Sequence, residues 1–154
     1  VTKAGCRQDI VAAATALVDR DCAVTLRAVS READIPTSSI YLHFPGPSAI
    51  LLAVCRTAFA ELEAAVLGAS DVLAAGLAYL DFAALHPRRY RVMFGAADFA
   101  EPALLLFTRV LADPAVAMTL WLGLHGLADQ SASTRRSQRL TELAPRLITS
   151  LAHV

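Results

Sequence analysis

Apolar residues recur at helical spacing along the whole chain, and prolines cut the runs they form. Ile10, Ala14, Leu17 and Val18 share one helical face, as do Leu26, Val29 and Ala33. Breaks stand at Asp34-Ile35-Pro36, Pro45-Gly46-Pro47, His86-Pro87 and Asp113-Pro114. Proline lacks the amide donor that a helix interior needs and restricts the residue before it. Nowhere do Val, Ile and Thr alternate with polar residues as in a half-buried strand. An all-α fold follows, in which amphipathic helices bury their apolar faces on one another.

The punctuation predicts where each helix runs. A first helix spans about Gly5 to Arg20, and Thr25 caps a second. Thr37 or Ser38 starts a short third helix with Ile40, Tyr41 and Phe44, and Ser48 caps a long fourth through about Leu67, closed by Gly68-Ala69-Ser70. Further helices are expected from Asp71 to Leu85, Arg88 to Phe94, Pro102 to Ala112, Val116 to about Gln130, and Thr134 to Ala152 with Pro145 as a kink. The fourth helix carries Ile50, Leu51 and Val54 at its start and Phe59, Leu62 and Val66 at its end. It therefore joins a three-helix module, residues 1–56, to a C-terminal helical bundle, residues 57–154.

Composition narrows the function. With 154 residues, 56% apolar and 18% charged, the chain can bury a core and is not disordered. Fourteen basic residues balance fourteen acidic ones, so bulk charge names no partner. Cys6, Cys22 and Cys55 lack metal spacing and read as incidental thiols of a reducing compartment. Ile10 to Val18 could pass for the apolar part of a signal peptide, but Asp9 precedes it and Asp19-Arg20-Asp21 occupies the cleavage position. Ala115 to Ala128 is shorter than the ~20 residues a bilayer span needs. A cytoplasmic protein with no membrane partner is expected. The sequence has no Gly-rich phosphate loop, no Gly-x-Ser-x-Gly elbow and no His-Glu-x-x-His pair, and its four histidines are scattered. Neither an enzyme, nor a cofactor, nor a metal site is expected.

Residues 25–44, TLRAVSREADIPTSSIYLHF, form two short helices joined by a tight break. That is helix-turn-helix geometry, in which the second helix enters a major groove. It is also the geometry of an ordinary corner in an all-α protein. The residue types suit DNA. Thr37, Ser38 and Ser39 are short donors and acceptors, and Tyr41 and His43 can reach phosphate from the flank. Arg27 can contact guanine, and Arg31 adds charge on the supporting helix. Ile35, Ile40 and Phe44 must point inward.

From about Ile10 to Val54 the chain resembles the TetR family of bacterial transcriptional regulators. The resemblance rests on Thr25-Leu26-Arg27, Ala33, Ile35, Tyr41, His43-Phe44-Pro45 and Ile50-Leu51-Leu52. It implies that Thr25, Arg27, Thr37, Ser38, Ser39, Tyr41 and His43 meet double-stranded operator DNA. Two departures stand out: Asp34 replaces the usual turn glycine, and Pro47 replaces a common phosphate-binding lysine. Lys3, Arg7, Arg20, Arg27, Arg31 and Arg56 outnumber Asp9, Asp19, Asp21, Glu32 and Asp34 by only one. Hydrogen bonds and dimerisation should then carry affinity more than bulk charge does.

A second, weaker resemblance covers Tyr79-Leu80-Asp81-Phe82-Ala83, His86-Pro87, Tyr90 to Phe94 and Trp121 to Ala128. It is to TetR-type C-terminal domains with a Trp/His-Gly signature, and implies a ligand-responsive, dimerising domain. Trp121 and His125 lie one helical turn apart. They fit a ligand-pocket wall with one polar handle, or a packed tryptophan beside a satisfied core histidine. Phe82, Met93, Phe94, Phe107 and Met118 with this pair are the expected lining of an apolar cavity, or else plain core filling. Arg88, Arg89 and Arg91 form a small basic cluster. Gly123 and Gly126 cost ~1 kcal/mol each in a helix, which close approach of another helix can offset. A homodimer through the last two helices is expected. The sequence-level expectation is a regulator, by default a repressor released from a palindromic operator by a small apolar or aromatic effector. A transcriptional activator, and a helical small-molecule carrier with a vestigial helix-turn-helix, are the alternatives.

Overall fold

The computed structural model describes residues 3–133 and 137–152. All its regular structure is helical: α1 Lys3–Asp19, α2 Leu26–Ala33, α3 Thr37–Tyr41, α4 Pro47–Leu67, α5 Val72–Leu85, α6 Pro87–Gly95, α7 Ala100–Val110, α8 Pro114–Ser133 and α9 Ser137–Ala152. Side-chain caps mark several starts. The Thr25 hydroxyl accepts from the Ala28 amide at 3.1 Å, Asp71 accepts from Ala74 at 2.8 Å, and Asp113 accepts from Ala115 at 2.8 Å and Val116 at 3.2 Å. Ser48 does not cap α4; the helix starts one residue earlier, with Pro47 in the first turn, where its missing N–H costs nothing. The same reasoning moves α7, which begins at Ala100 rather than Pro102. Pro145 lies inside α9, and Thr134, its expected start, falls outside the described residues.

The chain forms two compact units, Val1–Ala58 and Phe59–Val154, with the boundary inside α4. In the first, α1 packs on α2, and Ile10, Ala14, Val29, Ile40, Phe44 and Ile50 are buried. The larger of these, Ile10, Val29, Ile40, Phe44 and Ile50, each contribute roughly 1.5–3 kcal/mol of transfer free energy. In the second, α8 packs on α5, α7 and α9. Helix α5 also packs on α9, and Gly76 makes that approach close: a Cβ there would sit 2.6 Å from Ile148 Cδ1. Arg89 and Arg109 pair with Glu61 and Glu63 at the end of α4, at 3.2 and 2.7 Å, so Arg89 is engaged on the protein itself. No described helix is long and apolar enough to cross a membrane, and no three metal-ligating side chains gather among the described residues.

Candidate DNA-binding face and aromatic site

The α2–α3 corner is built by local chemistry. At the end of α2, Asp34 adopts φ 53°, ψ 44°, a left-handed conformation. Asp tolerates it better than most residues, so it can make this turn without a glycine. Its amide donates to the Ser30 carbonyl, and so does that of Ile35 at 3.1 Å. The Ser30 hydroxyl returns a hydrogen bond to the Ile35 carbonyl at 2.7 Å. The chain is thus turned sharply into α3, whose one buried residue is Ile40. Thr37, Ser38 and Tyr41 are exposed, Tyr41 at 58%, and Ser39 and His43 are half-buried. Arg27 is exposed, while Thr25, also exposed, uses its oxygen as the α2 cap and keeps its O–H proton for another acceptor.

Sequence reasoning missed Arg7. Its guanidinium lies 4.2 Å from the Phe44 ring centroid, and Nη1 reaches the His43 carbonyl at 3.5 Å. This ties α1 to the segment after α3. A basic residue ahead of the first apolar face was the available signal, but nothing local linked it to Phe44.

In the second unit, the seven expected lining residues do not form one group. Met118 is 46% exposed on α8 and must be withdrawn from the cluster; its position in the helix turns it outward. Phe82 is buried against the His86 ring, centroids 5.1 Å apart. Phe107 is fully buried edge-on to Tyr79 at 5.5 Å, and Met93 is fully buried too. What does converge is Phe94, Trp121 and His125. Trp121 stacks on His125 at 5.2 Å and 22°, and Phe94 lies 4.9 Å from it.

Two tyrosines complete this site. Tyr90 Oη lies 2.6 Å from His125 Nδ1 and 2.9 Å from Tyr79 Oη, and Tyr79 Oη is 3.5 Å from the same nitrogen. Burial pushes the Tyr79 hydroxyl up to about 12, with the neighbouring Tyr90 hydroxyl and Trp121 indole offsetting part of the rise. Burial first, then Tyr79 and Asp129, raise the Tyr90 hydroxyl as well. Burial lowers the His125 imidazole below its usual value, and Asp129 one turn along α8 partly opposes this. The net effect favours the neutral imidazole. The Trp121 indole N–H is buried and makes no hydrogen bond. Tyr90 stood in the motif after Pro87, one turn before Phe94, yet nothing in the sequence joined it to a histidine 35 residues later.

A separate groove of about 740 Å³ runs along α8 and α9, lined by Leu122, Gly123, Gly126, Leu127, Leu143 and Leu147 among others. None of the expected effector residues lines it. Leu122 and Leu143 are about half exposed there. A Cβ on Gly123 would meet Leu147 Cδ2 at 2.6 Å, whereas a Cβ on Gly126 would meet nothing within 4 Å.

The helices match, over 94% of this chain and 88% of the other, the crystal structure of the multidrug binding protein EbrR, a TetR-family protein, complexed with imidazole; the TM-score is 0.71 and the sequences are 25% identical. The fold is that of the TetR family. No family profile matches the TetR-like chain, and no curated protein does. The likeness spans both units, so it extends the sequence resemblance, which is specific only up to Val54, into the C-terminal helices.

Proposed function

We propose that the chain is a DNA-binding transcriptional regulator of the bacterial cytoplasm, a repressor released from a palindromic operator by a small apolar or aromatic effector. The observation that carries this is the polar, exposed face of α3 above a buried Ile40, in a chain with a TetR-type fold. Thr37, Ser38 and Ser39 read base edges. Tyr41 and His43, with Arg27 and the Thr25 hydroxyl, hold phosphates and fix the register.

Two such helices must be presented about one DNA turn apart, ~34–36 Å, which requires a dimer. The exposed leucines and the open side of Gly126 on the α8–α9 groove support a homodimer through these helices, packed as a four-helix bundle. The effector site is assigned to Phe94, Trp121 and His125, with Tyr79 and Tyr90 behind them. Phe82, Met93 and Phe107 support it from the core. The similar protein's title names it multidrug binding, which supports a small-molecule effector for this chain. An effector that prefers one spacing of the recognition helices shifts the population toward it.

The test is selection of bound fragments from host genomic DNA, followed by titration of the selected duplex at several salt concentrations. A palindromic consensus bound with a steep salt slope is expected. Ligand binding with no salt-dependent affinity for any duplex would make the protein a carrier instead. Transcription rising rather than falling on operator occupancy would make it an activator.

A further inference from the structure

An α-helix turns about 100° per residue, so residues two places before and after a buried one point away from the core. The buried residue of α3 is Ile40, and Ser38 and Leu42 stand two places from it. Leu42 follows α3 directly and keeps right-handed helical backbone angles, so its side chain continues the spiral. Its amide donates to the Ser39 carbonyl at 3.2 Å, and the amides of His43 and Phe44 donate to the Ile40 carbonyl at 2.9 and 3.0 Å. Phe44 is buried one turn beyond Ile40, with the Arg7 guanidinium over its ring. Leu42 is thereby held on the outermost ridge of the helix, 73% exposed, more so than Tyr41 at 58%.

A lone exposed leucine such as Leu85, at the end of α5, calls for no special account. Leu42 differs in its company. Exposed Thr37, Ser38 and Tyr41 around it carry hydroxyls for a polar partner, whereas a leucine side chain has no donor or acceptor. It can neither hold a phosphate nor pair with a base edge. Every base pair shows the major groove donors and acceptors, and only thymine adds an apolar group, its C5-methyl. We propose that Leu42 is a specificity-determining residue that packs on one thymine methyl in each operator half-site. This rests on the reading of α3 as the recognition helix and gives that helix a base preference. Ser38 shares the ridge one turn earlier and meets the neighbouring base edge. Tyr41 and His43, on the two sides of the ridge, reach the phosphates.

The experiment uses the full chain and the duplex selected from host genomic DNA, with copies in which one thymine at a time in one half-site is replaced by deoxyuridine. Uracil pairs as thymine does and lacks only the methyl. The wild type is expected to lose about fourfold in affinity at one thymine, the worth of one methyl group taken from water. Leu42→Ala should bind the thymine and uracil duplexes at that position equally. Leu42→Met, which keeps an apolar side chain of similar size, should restore the difference. Because Leu42 holds no phosphate, Leu42→Ala should leave the slope of affinity against salt unchanged, unlike the loss of a phosphate contact. A wild type indifferent to every such replacement overturns the proposal, with no variant needed. A difference that persists in Leu42→Ala overturns it too, and gives the methyl to another side chain such as Thr37. The absence of salt-dependent binding to any duplex overturns the regulator reading as well.

Discussion

Single side chains in this molecule divide by what surrounds them. Tyr41 is exposed at the end of α3. Tyr41→Ala should therefore weaken operator binding by ~1–2 kcal/mol, the worth of a hydrogen bond to a charged group, while thermal unfolding stays unchanged. Duplex titration of Tyr41→Ala and Ser39→Ala tests this, and unaltered affinity in both would remove α3 from the interface. Phe107 is the opposite case. It is fully buried against Tyr79, and Phe107→Ala should cost ~3–5 kcal/mol in denaturant unfolding. A much smaller loss would mean that the wall it belongs to borders a void. His125 adds a pH dependence. Its imidazole is depressed by burial in the folded protein, so the unfolded chain binds the proton more readily. Its contribution to stability is complete above the ordinary histidine value of 6.5 and is lost as pH falls through the lower folded value. The thermal midpoint should drop between pH 7.5 and 5, and drop less in His125→Gln.

At the scale of helices, what is local was legible and what is long-range was not. Thr25 announced a helix start because a cap acts within three residues, whereas Asp71 was read as the first residue of its helix and Asp113 as part of a break, and both prove to be caps. The α2–α3 corner was legible for the same reason, even with Asp34 in the place of glycine. The start of α7 was misplaced because proline is tolerated anywhere in a first turn, where amides lack partners. In the aromatic site, Trp121 and His125 were readable as neighbours on one helix. Tyr79 and Tyr90 meet His125 only because α5, α6 and α8 converge, and periodicity carries no such information. Met118 shows the converse: its residue type suggested lining, and its position in α8 turned it outward. The two glycines of α8 give an element-scale prediction. Gly123→Ala forces Leu147 to move and should gain little or lose stability. Gly126→Ala meets open space and should stabilise the isolated subunit by up to ~1 kcal/mol through helix propensity. Chemical unfolding of both variants at low protein concentration checks the contrast.

For the whole molecule the prediction is a dimeric mass by sedimentation at micromolar concentration without DNA. Gly126→Ala should shift it toward monomer while leaving the subunit intact. A monomeric wild type would contradict the α8–α9 seam and leave the leucines of its groove without a role. The same two glycines also say how natural variation should be distributed. Position 123 is constrained by the folding of its own chain, because Leu147 occupies the space a side chain would need. Position 126 is invisible to that constraint. On the proposed α8–α9 seam a side chain at 126 would meet only the partner subunit, so substitutions there are expected to track changes of assembly rather than losses of fold.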